Sequence, residues 1–568
     1  MKNIVRFSMD HPKLVIIITL VLTLFFLAQF PKIKIDTDPE NMLEKNERVR
    51  VFHNAVKERF GINDLIVIGI VNESGVFKAD ILNRIDKISQ EIVKIKGIKV
   101  DDFISPSFSD DVTAGGGLIE VKRFIEGAVG SDVEAKKIGI AILGNTLYAD
   151  KLASSDKKGI ALYVPIERKD QAHRISREIE KIIRKYKGDE KYYIAGLPVA
   201  EDTFGYEMFL QMGITAPLAG MVVFLILLYF FRRLKLVFSP MIVAMVSIVW
   251  TMGLLIGTGF TVHIMSSMIP IFLMPISVAD SVHILSEYHD KFAVLRDKRK
   301  TLEAVMGELF IPMLFTSLTT MVGFASLALT PIPPVRIFGL FVAFGILVAW
   351  ILTVTFIPAY IMLTKQTEQT DEPEKDAEGH KNNNMLRSFG NFAFRNGKII
   401  LTLTALVLLI AIYGISRINI NDNPVNWFKK GHKIRVADRV MNEHFGGTYM
   451  SYIVFKGSEK EAIKKPEAIA YIDSLQRHLE SLGIVGKTSS VADIIKRISF
   501  VLHDENPESN TIPKTREEIG QYLFLFLMSG DPNDLDNFVD YNYEWANIWV
   551  QMKGGDNKDM ERVVASVK

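Results

Sequence analysis

The sequence predicts a polytopic α-helical membrane protein with α/β domains outside the bilayer, built as an internal repeat whose second half is incomplete. Three observations carry that reading. Seven long runs are almost free of charge, the basic residues between them fall on one side, and a stretch of sequence recurs at a constant offset. The 568 residues could fill three or four domains of roughly 150 residues. Lys and Arg (67) nearly balance Asp and Glu (65), which leaves no basic footprint for nucleic acid. With no cysteine, a disulfide framework, a Cys-ligated metal and a thiol nucleophile are all excluded.

The apolar runs are Leu14–Phe30, Gly213–Phe231, Leu236–Val262, Ile264–Ser286, Leu309–Val335, Ile337–Thr364 and Ile399–Ser416. A helix needs about 20 apolar residues to cross ~30 Å of hydrocarbon, and each run is near or above that length. Within the fourth run the interruptions are Asp280 and His283. Pro331, Pro333 and Pro334 should end the fifth helix. Lys2, Arg6 and Lys13 precede span one, Arg232, Arg233 and Lys235 join spans two and three, and Lys291 to Lys300 holds five cations between spans four and five. The 365–398 segment between spans six and seven is also basic. These loops share one side, which the excess of positive charge assigns to the cytoplasm. The N-terminus is therefore inside a cytoplasmic (inner) membrane, and residues 31–212 and 417–568 are extracytoplasmic. Leu27–Pro31 offers no small-x-small cleavage site, so span one reads as an anchor and not a signal peptide. Gln366–Asn384 is polar enough to read as a flexible linker.

Ile33–Gly61 and Ile418–Gly446 align without gaps at an offset of 385, with ten identities in 29 positions that include Pro39/Pro424, Asn41/Asn426 and Gly61/Gly446. Shared apolar composition does not produce such matches, so span one and its outer segment are duplicated as span seven and its own. Leu65–Val71, Ile160–Pro165 and Tyr192–Ala195 read as strands, Ala79–Lys96 and Ala172–Lys187 as helices. Tyr449–Phe455, Pro466–Leu482 and Asn547–Met552 take comparable places in the second copy. Small split βαβ sheets follow. Ser105–Ala153 and Thr488–Leu535 read as mostly helical. At the same offset the second bundle would close near position 749, and residue 568 corresponds to 183. The register thus predicts a fragment or truncated product, inactive as a monomer, with a second outer domain less stable than the first.

DTDPENMLEKNERVRVFHNAVKERFG after span one, AGLPVAEDTF before span two and PISVADSVHILSEYHD in span four resemble the resistance–nodulation–division (RND) superfamily of transporters. The order of spans and outer domains is similar too, and the resemblance covers essentially the whole chain. Within the superfamily the chain looks like the hydrophobe- and lipid-exporting branch of mycobacterial large membrane (MMPL) proteins and Patched. Spans two to six then correspond to a sterol-sensing-domain-like bundle. Where many relatives place Gly and Tyr around the motif Asp, this chain has Ala279 and Ser281, so an Asp–Tyr arrangement is not carried over.

Asp280 is the one acidic residue well inside a run. Ionised at bilayer depth it costs about 2.5–3.5 kcal/mol on insertion scales. A protonated carboxyl costs less, so its charge state can be tied to a conformational change. His283 at i+3 shares its helix face and could relay the proton, and Ser277 at i−3 adds a hydroxyl. His283, Glu287 and His289 lack an HExxH spacing and make no convincing metal site. Gly253 and Gly257 form a GxxxG suited to close helix packing. Gly115–Gly117 reads as a mobile loop and not as a phosphate cradle. No phosphate-binding loop, triad or catalytic carboxylate pair stands out, so no cofactor and no enzyme activity are expected. The resemblance implies proton-antiport efflux of lipids, drugs or other amphiphiles, with the outer domains as the substrate path and a homo-oligomer or periplasmic partner. A lipid sensor without net transport and a membrane accessory of protein secretion are the alternatives.

Overall fold

The computed structural model describes residues 2–115, 118–232, 234–364, 379–419, 421–529 and 533–567. Among them, seven helices are long and apolar enough to cross a membrane: Pro12–Lys32, Leu197–Phe231, Leu236–Gly257, Ile264–Leu295, Lys298–Leu329, Pro333–Leu363 and Gly397–Ser416. An amphipathic α1 (Lys2–Asp10) turns at Pro12 into α2 (Pro12–Leu27). The first outer domain follows: β1 (Ile35–Asp36), α3 (Arg48–Arg59), β2 (Asp64–Val71), α4 (Ala79–Ile92), β3 (Asp110–Gly115), β4 (Leu118–Arg123), α5 (Asp132–Gly144), β5 (Gly159–Ile166), α6 (Ala172–Lys185) and β6 (Lys191–Ala195). The bundle comprises α7 (Leu197–Phe231), α8 (Leu234–Gly257), a two-residue β7 (Val262–His263), α9 (Ile264–Ser267), α10 (Ile269–Leu295), α11 (Lys298–Ala325) and α12 (Pro333–Leu363). Next come α13 (Gly379–Arg395) and α14 (Gly397–Ser416). The second outer domain holds α15 (Lys433–His444), β8 (Tyr449–Lys456), α16 (Pro466–Glu480), β9 (Val485–Ser489), α17 (Val491–Leu502), α18 (Arg516–Ser529), α19 (Asn533–Asp536), β10 (Trp545–Met552) and α20 (Asn557–Val567).

In the bundle α12 is central, packed on α2, α8, α10 and α11. Close approach relies on missing side chains. A Cβ on Gly253 of α8 would lie 2.6 Å from the Phe26 carbonyl oxygen of α2, and one on Gly257 3.1 Å from Gln29. The GxxxG is therefore a packing seam, as the spacing implied. By contrast α14 buries none of its residues against the rest of the described protein.

Both outer domains carry split βαβ sheets. In the first, β2 lies antiparallel between β5 and β6, which α6 connects. In the second, β10 lies antiparallel between β8 and β9, which α16 connects. The repeat register explains the difference. β2 and β8 correspond residue for residue at 385, but β2 is flanked on both sides, whereas β8 is an edge strand among the described residues. The domains also exchange helices. Ala437, Met441 and Phe445 of the second repeat pack on Val67, Ala161, Tyr163 and Ala195 of the first sheet. Val56 and Phe60 of the first repeat pack with Trp549, Met450 and Tyr452 of the second.

Several expectations are corrected. Ser105–Ala153 is not mostly helical. It contains the β3–β4 hairpin, paired from Asp110↔Arg123 to Gly115↔Leu118, because Val112 and Val121 alternate with polar neighbours in a sequence that carries three glycines between the two runs. Gly116 and Gly117 lie outside the described residues. Span three stops at Gly257, short of Val262, which leaves the helix to pair in parallel with Ile35 in β1. Span four runs nine residues beyond Ser286 to Leu295, and span five begins at Lys298, because polar but helix-forming sequence extends each helix past the hydrocarbon. The linker expected over Gln366–Asn384 lies outside the described residues up to 378, and from Gly379 the chain is helical.

Candidate functional site

Asp280 sits midway along α10, half-buried, and its Oδ2 accepts a hydrogen bond from Ser317 Oγ of α11 at 2.7 Å. Each helix carries a proline five residues earlier, Pro275 and Pro312. Such a proline removes an i→i−4 bond and loosens the turn just before the contact. The neighbouring hydroxyls of Thr316, Thr319 and Thr320 bond back to their own helix, so Ser317 is the one of this run that reaches across. Sequence reasoning missed Ser317. The hydroxyl-rich TSLTT of span five was the available signal, but only packing shows which hydroxyl faces the acid.

His283 lies one turn on and is exposed at the bundle surface. The structure records no hydrogen bond between it and Asp280 among the described residues. Ser277, expected beside Asp280, is buried with no partner for its hydroxyl among the described residues, and on the same buried side Ser281 Oγ meets Thr353 Oγ1 at 3.2 Å. Ser281 therefore joins α10 to α12, away from the acid. Glu287 lies 3.3 Å from Lys291 Nζ. The arrangement at Asp280 is a carboxyl with one hydroxyl donor and an open side next to an imidazole, which suits uptake and release of a proton.

A second set of charges sits where the outer domain enters the bundle. At ~1.5 Å per residue the 35 residues of α7 measure about 50 Å, well beyond the ~30 Å of hydrocarbon. Its first turns therefore stand in the outer domain. Gly196 precedes them at φ 115°, where a Cβ would meet the Leu65 carbonyl oxygen at 2.6 Å. Glycine is needed there twice over. From the AGLPVAEDTF motif, Asp202 accepts from Thr37 Oγ1 (2.9 Å) and from the His173 amide (2.8 Å). Glu201 Oε2 lies 3.7 Å from Lys169 Nζ, which also contacts Glu40 and lies 4.0 Å from Asp64. Burial alone would lower the pKa of Lys169, but Glu201, Asp64 and Glu40 outweigh it and hold the ammonium above the usual lysine range. Burial likewise opposes ionisation of Glu40, yet Lys169 beside it brings its pKa below the usual value. The repeated outer motif is thereby tied to the head of span two.

Between the two outer domains lies a chamber of about 310 Å³. Phe103, Phe108, Phe526, Phe538 and Trp549 make its apolar wall, and Arg123 and Arg497 add charge. Arg497 on α17 donates through Nη2 to Asp111 Oδ1 and to the Val112 carbonyl oxygen, both at 2.9 Å. Its buried Nε has no partner among the described residues. The β3–β4 hairpin forms one wall, so the element that sequence reasoning misread is the one that closes the chamber against the second domain.

Comparison with known proteins agrees with this architecture. Residues 79–399, more than half of the chain, match the model of the MMPL family. A Methanocaldococcus jannaschii protein, named as a proposed membrane protein, is 21% identical over 376 residues, covering 64% of this chain and 94% of that protein.

Proposed function

Because this chain belongs to the MMPL family of RND-type membrane proteins, we propose that it exports hydrophobic or amphiphilic molecules, lipids or drugs, across the cytoplasmic membrane at the expense of the proton gradient. The observation that carries the reading is Asp280, a titratable carboxyl placed between two proline-loosened helices with Ser317 as its donor. An inward proton supplies about 2.3 kcal/mol per 100 mV of membrane potential. Protonation cancels the charge that favours the Ser317 contact, a bond to a charged group worth about 1.5–3 kcal/mol. That is enough to shift α10 against α11 between two packings. His283 serves as the relay to the open face of the bundle. The aromatic chamber between the outer domains is the site through which an amphiphile passes, its apolar part on Phe103, Phe526 and Trp549 and its polar end near Arg123 and Arg497.

Transport requires more than one copy or a further partner, since α14 finds no packing surface among the described residues. The 376 residues matched in the archaeal relative make up 94% of it, a length close to one 385-residue repeat, which supports assembly from repeat-sized units. The test is movement of a fluorescent phospholipid in proteoliposomes under an imposed pH gradient. Asp280→Asn keeps size and polarity and removes the proton, so pH-driven movement should disappear while insertion is normal. His283→Gln should shift the pH optimum and leave the maximal rate nearly intact. Movement by Asp280→Asn at the normal rate and pH dependence refutes the coupling role. Movement unaffected by collapse of the gradient favours a passive or sensing protein.

A further inference from the structure

α1 meets α11 at one end of the bundle, and a cleft of about 220 Å³ lies between them. Val5 and Met9 of α1 and Met306, Phe310 and Ile311 of α11 make it apolar, while Arg6 and Glu303 form its rim. The α11 residues recur at three- and four-residue intervals, one face of the helix. The notch exists because position 307 is glycine: a Cβ built there finds no heavy atom within 4 Å. The cleft reaches the bundle surface: Gly307 and Ile311 of the membrane-crossing α11 are exposed, and α1 leaves Ile4 and Phe7 about half exposed. Apolar cavities do not retain water, which needs polar partners. In a bilayer the apolar matter at hand is an acyl chain.

The rim adds charge selection. Arg299 is held by Asp10 at 2.8 Å, and it also lies 3.8 Å from Glu303. Arg6 has Glu303 as its recorded partner, also at 3.8 Å, outside hydrogen-bond range. Its guanidinium keeps a fork of donors matched to a phosphate, and Glu303 retains Arg299 when Arg6 turns to it. We propose that this cleft binds one anionic phospholipid from the leaflet against which α1 lies, with an acyl chain over Gly307 and the phosphate on Arg6. The lipid would pin the N-terminal helix to the bundle. It is a resident of the membrane and not the transported molecule, and its site is remote from the outer chamber.

Native mass spectrometry of the full chain in detergent, titrated with phosphatidylglycerol, phosphatidylcholine and diacylglycerol, separates the two recognition elements. The unmodified protein should take up one phosphatidylglycerol ahead of the other two. Gly307→Leu starts from a Cβ that meets no neighbour within 4 Å, fills the notch and should weaken all three roughly tenfold or more, at about 0.8 kcal/mol per methylene excluded. Arg6→Gln should weaken phosphatidylglycerol by about fivefold, phosphatidylcholine by less because its choline offsets the phosphate charge, and diacylglycerol not at all, since one cation at a lipid surface contributes about 1 kcal/mol. Both positions are exposed, so neither change threatens folding. Undiminished binding of phosphatidylglycerol by Gly307→Leu assigns it to the general lipid shell and overturns the inference. Equal binding of phosphatidylcholine and phosphatidylglycerol by the unmodified protein overturns the assignment of Arg6.

Discussion

Lys169→Met should uncouple the first outer domain from the head of span two. The substitution keeps the apolar stem and removes one charge from among Glu40, Asp64 and Glu201. The Lys169 side chain is 15% exposed and the three carboxylates 28%, 23% and 10%. Removing one partner of a buried ion pair costs about 3–5 kcal/mol, and this residual exposure favours the lower end, about 3 kcal/mol. The sign of its pH dependence follows from the shifts. Lys169 is raised, so its contribution is present below the unfolded value and is lost only as pH climbs through the higher folded one. Glu40 is lowered, so its contribution holds above the unfolded value of 4.5 and fades as pH falls through the lower folded one. Between these limits Glu201, pushed up to about 7 chiefly by burial, makes the native junction less stable as pH rises from 4.5 through 7. In the variant Lys57 stays on Asp64 at 2.8 Å, but Glu40 and Glu201 lose the ammonium between them, and protonation relieves them. Hydrogen exchange of the segments around Glu40 and Lys169, corrected for intrinsic rates, should accelerate on the order of a hundredfold at about pH 8. The excess should shrink towards pH 5. Unchanged exchange, or an excess that grows on acidification, refutes the ion-pair account.

Gly253→Leu forces a side chain into the Phe26 backbone and should destabilise the α2–α8 seam by about 1–3 kcal/mol, read as a lower midpoint of thermal unfolding in detergent. Hydrogen exchange should separate β2 from β8: β2 is bonded on both edges, so the outward-facing amides of β8 should exchange faster than their counterparts 385 residues earlier. The native chain has no cysteine, so single cysteines at the exposed Ser74 and Ser458 should react with an impermeant maleimide on intact cells. One at Lys300 should not react, and the reverse pattern would invert the topology.

Seven membrane-crossing helices were legible in the sequence, because a helix in hydrocarbon must satisfy its backbone internally and cover itself with apolar side chains over a set length. The strand cores were legible for a similar local reason: Leu65–Val71 and Tyr449–Phe455 are short β-branched and aromatic runs bounded by polar residues. The duplication was legible from its register alone. Asp280 stood out because a carboxyl inside an apolar run is costly wherever the chain folds. None of this specifies partners. That Ser317 holds Asp280, while Ser277 faces away, depends on the rotation of α11 against α10, which many side chains set together. The exchange of α3 and α15 between sheets, the Lys169 junction and the chamber closed by β3–β4 join residues far apart in the chain, and periodicity carries no information about which faces meet. The lone ladder of Ile35–Asp36 with Val262–His263 is too short to leave any local signal and forms only because the bundle brings its strands together. Local chemistry determined where the chain crosses the membrane and which acid is unusual; tertiary packing decided what that acid touches, because contacts distant in sequence are selected by the summed burial of whole faces.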